Sequence, residues 1–276
     1  MKILLDKFKL TNKVAIITGG VGLLGINHAE AIAEMGGTPI LLDINDEKGE
    51  SVTAEISKKY KTTCSYYNCD ITNEDEIEKV KDDIIKFHGK IDILINNAAI
   101  DPKVKTDNSY ETSRLEMFSL DRWSLELSVG LTGAYLCSKI IGSEMAKIGS
   151  GVIVNISSDL GLISPDQRLY KKDGLKEDKQ PVKPITYSVI KHGIIGLTKY
   201  LATYWADKDV RVNAISPGGV YTGQPDKFVS KISELIPLRR MAREDEYKAA
   251  IVFLCSEASS YMTGSNLVID GGRTCW

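Results

Sequence analysis

The chain has 276 residues, with 35 Lys and Arg against 37 Asp and Glu, 43% apolar residues and 26% charged ones. Those fractions exclude global disorder, and a net charge of -2 argues against a nucleic-acid protein, which needs a basic excess. No apolar run reaches the ~20 residues that span a bilayer, and three His and five Cys without a C-x-x-C pair give no zinc pattern. The stretch from Met1 to Lys7 holds too short an apolar segment for a signal peptide and no small-residue cleavage site. These features predict a reduced, cytoplasmic protein with no metal, no membrane contact and no nucleic-acid partner.

Along the chain, short apolar runs alternate with helical patterns. Val14 to Thr18, Pro39 to Asp43, Thr63 to Asn68, Ile91 to Asn96, Val152 to Ser157, Arg211 to Ser216 and Leu267 to Asp270 read as strands. Several are nearly continuous in Ile, Leu and Val, which suits parallel strands buried on both faces. Helices are expected over 23–36, 46–59, 73–88, 120–148, 185–206 and 243–256. The alternation predicts right-handed crossovers and an α/β fold with a doubly wound parallel sheet of Rossmann type, as a single domain over 1–276. Residues 162–184 break the rhythm: they are polar, hold three Pro and carry a basic excess of two. A loop this long in a compact α/β domain is usually functional or disordered.

The first strand runs into Gly19-Gly20-Val21-Gly22-Leu23-Leu24-Gly25 and then an apolar helix. Gly20, Gly22 and Gly25 form G-x-G-x-x-G, whose glycines let the backbone turn tightly and approach a pyrophosphate at the helix N-terminus. Asp43 ends the second strand 18 positions after Gly25. A carboxylate there accepts hydrogen bonds from a ribose diol and repels a 2′-phosphate, which favours NAD over NADP. Its blander reading is a cap on the following turn.

Tyr187-Ser188-Val189-Ile190-Lys191 opens a helical pattern, and positions i and i+4 share one face. A Tyr phenol titrates near 10, too high for a base at neutral pH. A Lys ammonium about 4 Å away favours the phenolate by up to ~4 kcal/mol at an effective dielectric of 20. Taken alone, Y-x-x-x-K is a common accident. It gains weight from the strand ending Ile156-Ser157-Ser158 that precedes it.

Together these segments resemble the short-chain dehydrogenase/reductase family over essentially the whole chain. The matching runs are TGGVGLLG at 18–25, Asp43, CDI at 69–71, NNAA at 96–99, VNISS at 154–158, YSVIK at 187–191, VRVNAISPGG at 210–219 and GSNLVIDGG at 264–272. The resemblance implies hydride transfer with a nicotinamide cofactor. It makes Ser158 the hydroxyl that holds the substrate oxygen, Tyr187 the acid/base, and Lys191 the partner of both Tyr187 and the nicotinamide ribose. Gly19, Gly20, Gly22, Leu24 and Gly25 would cradle the pyrophosphate. Asp70 and Ile71 would touch adenine, Asn97 and Ala98 the adenosine ribose side, and Val220 and Thr222 the carboxamide. Pro217 and Gly218 would shape the turn beneath the nicotinamide.

Three departures stand out. The glycine spacing is that of the larger branch holding nucleotide-sugar epimerases and dehydratases. Gly130 replaces the Asn that supports a proton-relay water, and Ala99 replaces a Gly. At a finer level, the runs at 157–170, 200–207 and 215–225 resemble oxidoreductases of bacterial flagellin-glycosylation and nonulosonate loci, in particular the flagellin-modification protein A group. That resemblance implies a sugar or amino-sugar derivative as substrate, with secondary alcohol and ketone interconverted. The alternatives are an epimerase or dehydratase that retains its NAD, or a cofactor-binding scaffold with weakened chemistry.

Ser158 and Tyr187 stand 29 positions apart, which puts the 162–184 insert at the mouth of the substrate pocket. It reads either as a lid whose Arg168, Lys171 and Lys172 meet an anionic sugar derivative, or as a solvated loop or subunit contact. Arg239-Arg240 reads as a solvated charge pair or a phosphate contact. His28, His88 and His192 read as packing or surface residues, and Tyr200, Tyr204 and Trp205 as packing or subunit contacts. The small and apolar residues around helix 187–206 suit the paired-helix interface of a homodimer or homotetramer.

Overall fold

The computed structural model describes residues 3–100 and 113–276. Its frame is one seven-stranded sheet in the order β3-β2-β1-β4-β5-β6-β7, every pairing parallel. The strands are β1 (Val14–Thr18), β2 (Thr38–Asp43), β3 (Ser65–Asn68), β4 (Ile93–Asn96), β5 (Gly151–Ile156), β6 (Val210–Pro217) and β7 (Asn266–Ile269). All seven expected strands are present, with ends shifted by at most two residues. The expected doubly wound Rossmann-type sheet is therefore the observed one.

Alternate residues of each strand feed different cores, as a period of two requires. Val14 and Ile16 of β1 face a cluster with Ile77, Val80, Leu136, Leu201 and Trp205. Ala15 and Ile17 face the other, with Ile32, Ile251 and Leu254. The first layer is built by α3 (Glu74–His88), the long helix beginning at α4 (Leu120–Leu127) and α7 (Ile185–Tyr204). The second is built by α1 (Leu23–Glu34), α2 (Asp46–Tyr60) and α9 (Lys248–Cys255).

The stretch expected as one helix over 120–148 keeps right-handed dihedrals throughout but widens twice into π-helical turns. These lie at Ser128–Thr132 and Ser138–Gly142, with α5 (Gly133–Cys137) between and α6 (Ser143–Ile148) after. Gly130 and Gly142 sit in the two wide turns. A Cβ on Gly130 would lie 2.9 Å from Ile190, and one on Gly142 would lie 2.5 Å from the Trp205 ring. Both glycines thus let the long helix press against α7 and the Trp205 that ends it. Trp205 is buried, whereas Tyr200 and Tyr204 are exposed and stacked at 5.8 Å.

Two features fall outside the expected elements. Residues Asp226–Glu234 form α8, and the insert folds into two short 3-10 turns, Gln167–Tyr170 and Glu177–Lys179. The insert docks on α8: Leu169 is buried with Ile232, Ile236 and Met241, and the Tyr170 ring lies 6.0 Å from that of Phe228. An Asp173–Lys227 ion pair ties the two further. The insert is a packed element rather than an extended loop.

Candidate active site

Because every strand is parallel, the segments leaving β1, β2, β4, β5 and β6 emerge at one edge of the sheet. The order reverses between β1 and β4, the place where open α/β sheets form a ligand crevice. The glycine loop leaves β1 there. Gly19 has φ +61, and a Cβ on it would sit 2.8 Å from Ala98 Cα. Cβ atoms on Gly20 and Gly25 would meet Leu41 at 2.7 Å and the Gly19 carbonyl at 2.2 Å. Gly22 differs: its only near neighbour is the Gly19 oxygen at 3.2 Å, and it is exposed at the N-cap of α1. Packing explains the first, second and last glycines. The openness at Gly22 fits a group approaching from outside, as a pyrophosphate would.

Asn97 braces this loop, its Nδ2 donating to the carbonyls of Thr18 and Gly19 at 3.0 Å each. Thr18 Oγ1 accepts from the backbone N–H of Asn97 and Ala98 at 3.0 and 3.1 Å. Asp43 caps the following turn and also reaches the glycine loop. Its Oδ1 caps the next turn through Ile44 and Asn45 N–H at 2.9 and 3.2 Å, and its Oδ2 accepts from Val21 N–H at 3.3 Å. The carboxylate therefore sits against the mouth of the glycine loop. Asp70 is exposed and caps the turn at Thr72, while buried Ile71 packs against Gly133. Leu24 is half-buried against the second core.

The other half of the site joins β5 to α7. Lys191 is buried, and its Nζ donates to the Ile156 carbonyl at 2.8 Å. Ser157 Oγ donates to the Lys191 carbonyl at 2.8 Å. A Cβ on Gly161 would lie 2.8 Å from that carbonyl, so the glycine lets the two backbones meet. Tyr187 stands one helical turn before Lys191, with Lys183 Nζ 3.8 Å and Lys191 Nζ 5.8 Å from its ring centre. Ser158 caps the 3-10 turn Asp159–Gly161 and donates to Asp159 Oδ1 at 2.8 Å. A buried chain of amides and hydroxyls stiffens this region: Asn96 Nδ2 donates to Ser138 Oγ and Asn155 Oδ1, and Asn155 Nδ2 donates to Thr198 Oγ1.

At β6, Gly218 N–H bonds the Ile269 carbonyl, and a Cβ on Gly218 would press Asp270 at 2.9 Å. Gln224 clamps the next loop: its Oε1 accepts from Thr222 N–H and its Nε2 donates to the Val220 carbonyl. Sequence reading did not single out Gln224, Thr18, Asp159 or Arg273. Thr18 opens the TGGVGLLG run and Asp159 follows the VNISS run, whereas Arg273 carries no local signal.

Two of the insert's basic residues are balanced close to home. Arg168 forks onto Asp166 at 2.7 and 2.9 Å, and Lys171 pairs with Glu177 at 2.8 Å. The Lys172 backbone is held by the Gln180 side chain. An open groove of about 380 Å³ runs between the insert and α7, lined by Arg114, Ser164, Gln167, Lys183 and Ser188 among others, and by none of Arg168, Lys171 and Lys172. Arg240 likewise forks onto Glu246 at 2.6 and 2.7 Å. The five cysteines are free, and the described residues hold no cluster of His, Cys, Asp and Glu fit for a metal. No described helix is long and apolar enough to cross a membrane.

Family models match along this architecture: short chain dehydrogenase over residues 13–170 and Enoyl-(Acyl carrier protein) reductase over 177–274. The chain belongs to the short-chain dehydrogenase/reductase family. Membership makes it an oxidoreductase that works with a nicotinamide cofactor. Among its relatives, the NAD-dependent glycerol dehydrogenase of Listeria innocua is 34% identical, over 97% of this chain and 96% of that one. The D-threitol dehydrogenase of Mycolicibacterium smegmatis is 31% identical, with 97% and 95% covered. An NADP-dependent mannitol dehydrogenase of Alternaria alternata is 35% identical, with 97% and 94% covered. The solved NAD+-bound xylitol dehydrogenase superposes with a TM-score of 0.83 at 28% identity, covering 96% of this chain and all of the other. The gluconate 5-dehydrogenase of Burkholderia cenocepacia, solved with NADP and tartrate, gives 0.86 at 25%, covering 99% and 100%.

Proposed function

We propose that this chain is an NAD-dependent dehydrogenase that oxidises a secondary alcohol of a polyol or sugar derivative to the ketone, and that it runs the reverse reduction. The observation that carries the reading is the join of β5 to α7 through Ile156, Ser157 and Lys191, beside the open glycine loop. It brings a Tyr, a Lys and a Ser hydroxyl to the edge where a dinucleotide would lie. Relatives that act on glycerol, threitol and mannitol support the substrate class. The runs at 157–170, 200–207 and 215–225 support a sugar or amino-sugar derivative of surface-glycan synthesis within that class.

The glycine loop, Asp43, Asn97, Ala98, Val220 and Thr222 would hold the cofactor, which supplies the hydride acceptor when bound. Tyr187 takes the alcohol proton at its phenolic oxygen. Lys191, anchored on Ile156, favours the phenolate by charge. Ser158 holds the substrate oxygen. Asp43 favours NAD because a 2′-phosphate beside it would bring like charges together at the loop mouth. The insert and α8 act as one cover over the pocket. The exposed Tyr200 and Tyr204 on α7 suit a homodimer or homotetramer contact.

The test is reduction of NAD⁺ and NADP⁺ across glycerol, threitol, xylitol, mannitol, amino sugars and their phosphates. Turnover of at least one hydroxyl compound with NAD⁺ supports the reading. No turnover of any of them, with the cofactor bound, overturns it.

A further inference from the structure

Lys183 stands two residues ahead of α7, and Tyr187 is the third residue of that helix. The two are not a helical pair, because Pro184 between them has φ −57 and ψ 144, outside the helix. What holds Lys183 is the insert. Gln167 Oε1 accepts from Lys183 N–H at 2.9 Å, and Gln167 Nε2 donates to the Lys183 carbonyl at 3.4 Å. Gln167 opens the 3-10 turn whose Leu169 is buried against α8. Held this way, the Lys183 ammonium lies over the Tyr187 ring, 3.8 Å from its centre, whereas Lys191 Nζ is 5.8 Å away. Lys183 and Tyr187 are both half-buried.

The other charged groups around this end of α7 are engaged elsewhere. Asp159, on the turn packed against α7, accepts at Oδ2 from Arg273 Nη1 at 2.6 Å, and both residues are buried. Buried Glu126 on α4 takes Arg122 Nε at 2.7 Å and the Thr186 hydroxyl. Asp166 meets Arg168 in the insert, and Arg114 meets Glu116 across the groove at 3.5 Å. His192 is exposed, with Nδ1 2.9 Å from the Ser188 carbonyl. Among the described residues, Lys183 and Lys191 are the two cations that face the Tyr187 ring.

We propose that Lys183 is a positioning residue that holds a second positive charge against Tyr187 and so favours its phenolate, the form that takes the alcohol proton. The inference rests on Tyr187 being the acid/base of the proposed function. A cation over a ring attracts a neutral phenol only through the ring quadrupole. A phenolate adds a full negative charge, which resonance spreads from the oxygen into the ring, so the same cation favours it more. An opposite charge at about 4–6 Å moves a titration by about one to three pH units, and the half-exposed Lys183 belongs at the lower end. The insert then serves the chemistry itself, because Gln167 sets where that charge sits.

Lys183→Met keeps the length of the side chain and removes its charge. Lys183→Arg keeps the charge, on a group that also stacks on aromatic faces. The chain has 12 Tyr, so phenolate formation at Tyr187 is read as the ultraviolet titration of each cofactor-free protein minus that of the same protein carrying Tyr187→Phe. Removing a cation raises the pH at which the phenol ionises. The midpoint is expected about one pH unit higher in Lys183→Met and close to the unaltered value in Lys183→Arg. With NAD⁺ and an alcohol that the unaltered enzyme oxidises, kcat/KM of Lys183→Met should be about tenfold low below the midpoint and converge on the unaltered value at high pH. Ketone reduction, which needs the phenol, should persist to a pH about one unit higher. A merely structural role would lower both rates at every pH. An unmoved midpoint in Lys183→Met, or a shift that Lys183→Arg reproduces, overturns the role of Lys183 and leaves the proposed function standing. Failure of the unaltered enzyme to oxidise any alcohol overturns the functional reading, and with it the catalytic use of Lys183, even where the midpoint moves.

Discussion

The glycine loop yields a contrast between two substitutions of the same size. Gly22 has φ −76 and ψ 170, a conformation open to any residue, and its added Cβ would meet only the Gly19 oxygen at 3.2 Å. Gly22→Ala gains about 0.4–1 kcal/mol by restricting the unfolded chain and loses a similar amount at the N-cap. Its melting temperature should stay within about 2 °C of the unaltered protein, using the usual 2–4 °C per kcal/mol for chains of this order of size. Gly25→Ala places its Cβ 2.2 Å from the Gly19 oxygen and 2.9 Å from Gly20 backbone atoms, none of which can swing aside. Overpacking of that kind costs about 1–3 kcal/mol or more, a fall of roughly 3–10 °C.

Binding should separate the pair in the opposite sense. The methyl at Gly22 would occupy the space in which a pyrophosphate would meet backbone N–H groups. Losing one hydrogen bond to a charged group costs about 1.5–3 kcal/mol, or roughly 10- to 150-fold in NAD affinity. Thermal melts and calorimetric titration of NAD measure both quantities on the same samples. Tight NAD binding by folded Gly22→Ala would refute the claim that this glycine is open for a ligand.

Tyr187→Phe should lower turnover by about 10²–10⁴ with cofactor affinity unchanged, and retention of a tenth of the rate would remove the phenol from the mechanism. Asp43→Ala should erode the preference for NAD over NADP, mainly by weakening NAD; equal kcat/KM for both cofactors in the unaltered enzyme would contradict the assignment. Neutralising Arg168, Lys171 and Lys172 together tests the anion role: the ion pairs that engage Arg168 and Lys171 within the insert predict a KM change below about threefold, and a large rise confined to phosphorylated substrates would support that role. His28 is buried, neither ring nitrogen has a hydrogen-bond partner among the described residues, and burial pulls its pKa from 6.5 down to about 3. The unfolded chain takes up that proton near pH 6.5 and the native one only near 3, so stability falls as pH drops through this window, by about 2 kcal/mol at pH 5. Melts of His28→Leu between pH 7 and 4 should show a flatter slope; an unchanged slope would show that the ring is not the source.

The strands and the outer helices were legible because their signals are local. Apolar runs such as Val14 to Thr18 and glycine and carboxylate spacing carry them directly. Gln224 and the Asp159–Arg273 pair were not legible, because the first depends on a loop conformation and the second joins residues 114 positions apart. The π-turns escaped for a different reason. A 3.6-residue period over 120–148 is nearly the same with or without two widened turns, and only the folded backbone reveals them. The pairing within the insert was not legible either: its basic excess is read from composition, which does not show that Asp166 meets Arg168 and Glu177 meets Lys171. Helix α8 is short though strongly amphipathic, and its packing partners Leu169 and Tyr170 lie in the insert rather than in the sheet.

The ion pair between Asp159 and Arg273 also bears on how the protein matures. During synthesis Ser158 and Asp159 are made long before Arg273, so the site's hydrogen-bond pattern is set only when the segment after β7 docks. Until then Asp159 is a carboxylate facing burial without its counter-charge, a condition that costs about 3–5 kcal/mol when one partner of such a pair is missing. The last strand and its exit therefore work as a clasp on the candidate site, and trimming residues 273–276 would be felt at Ser158, just beyond the end of β5.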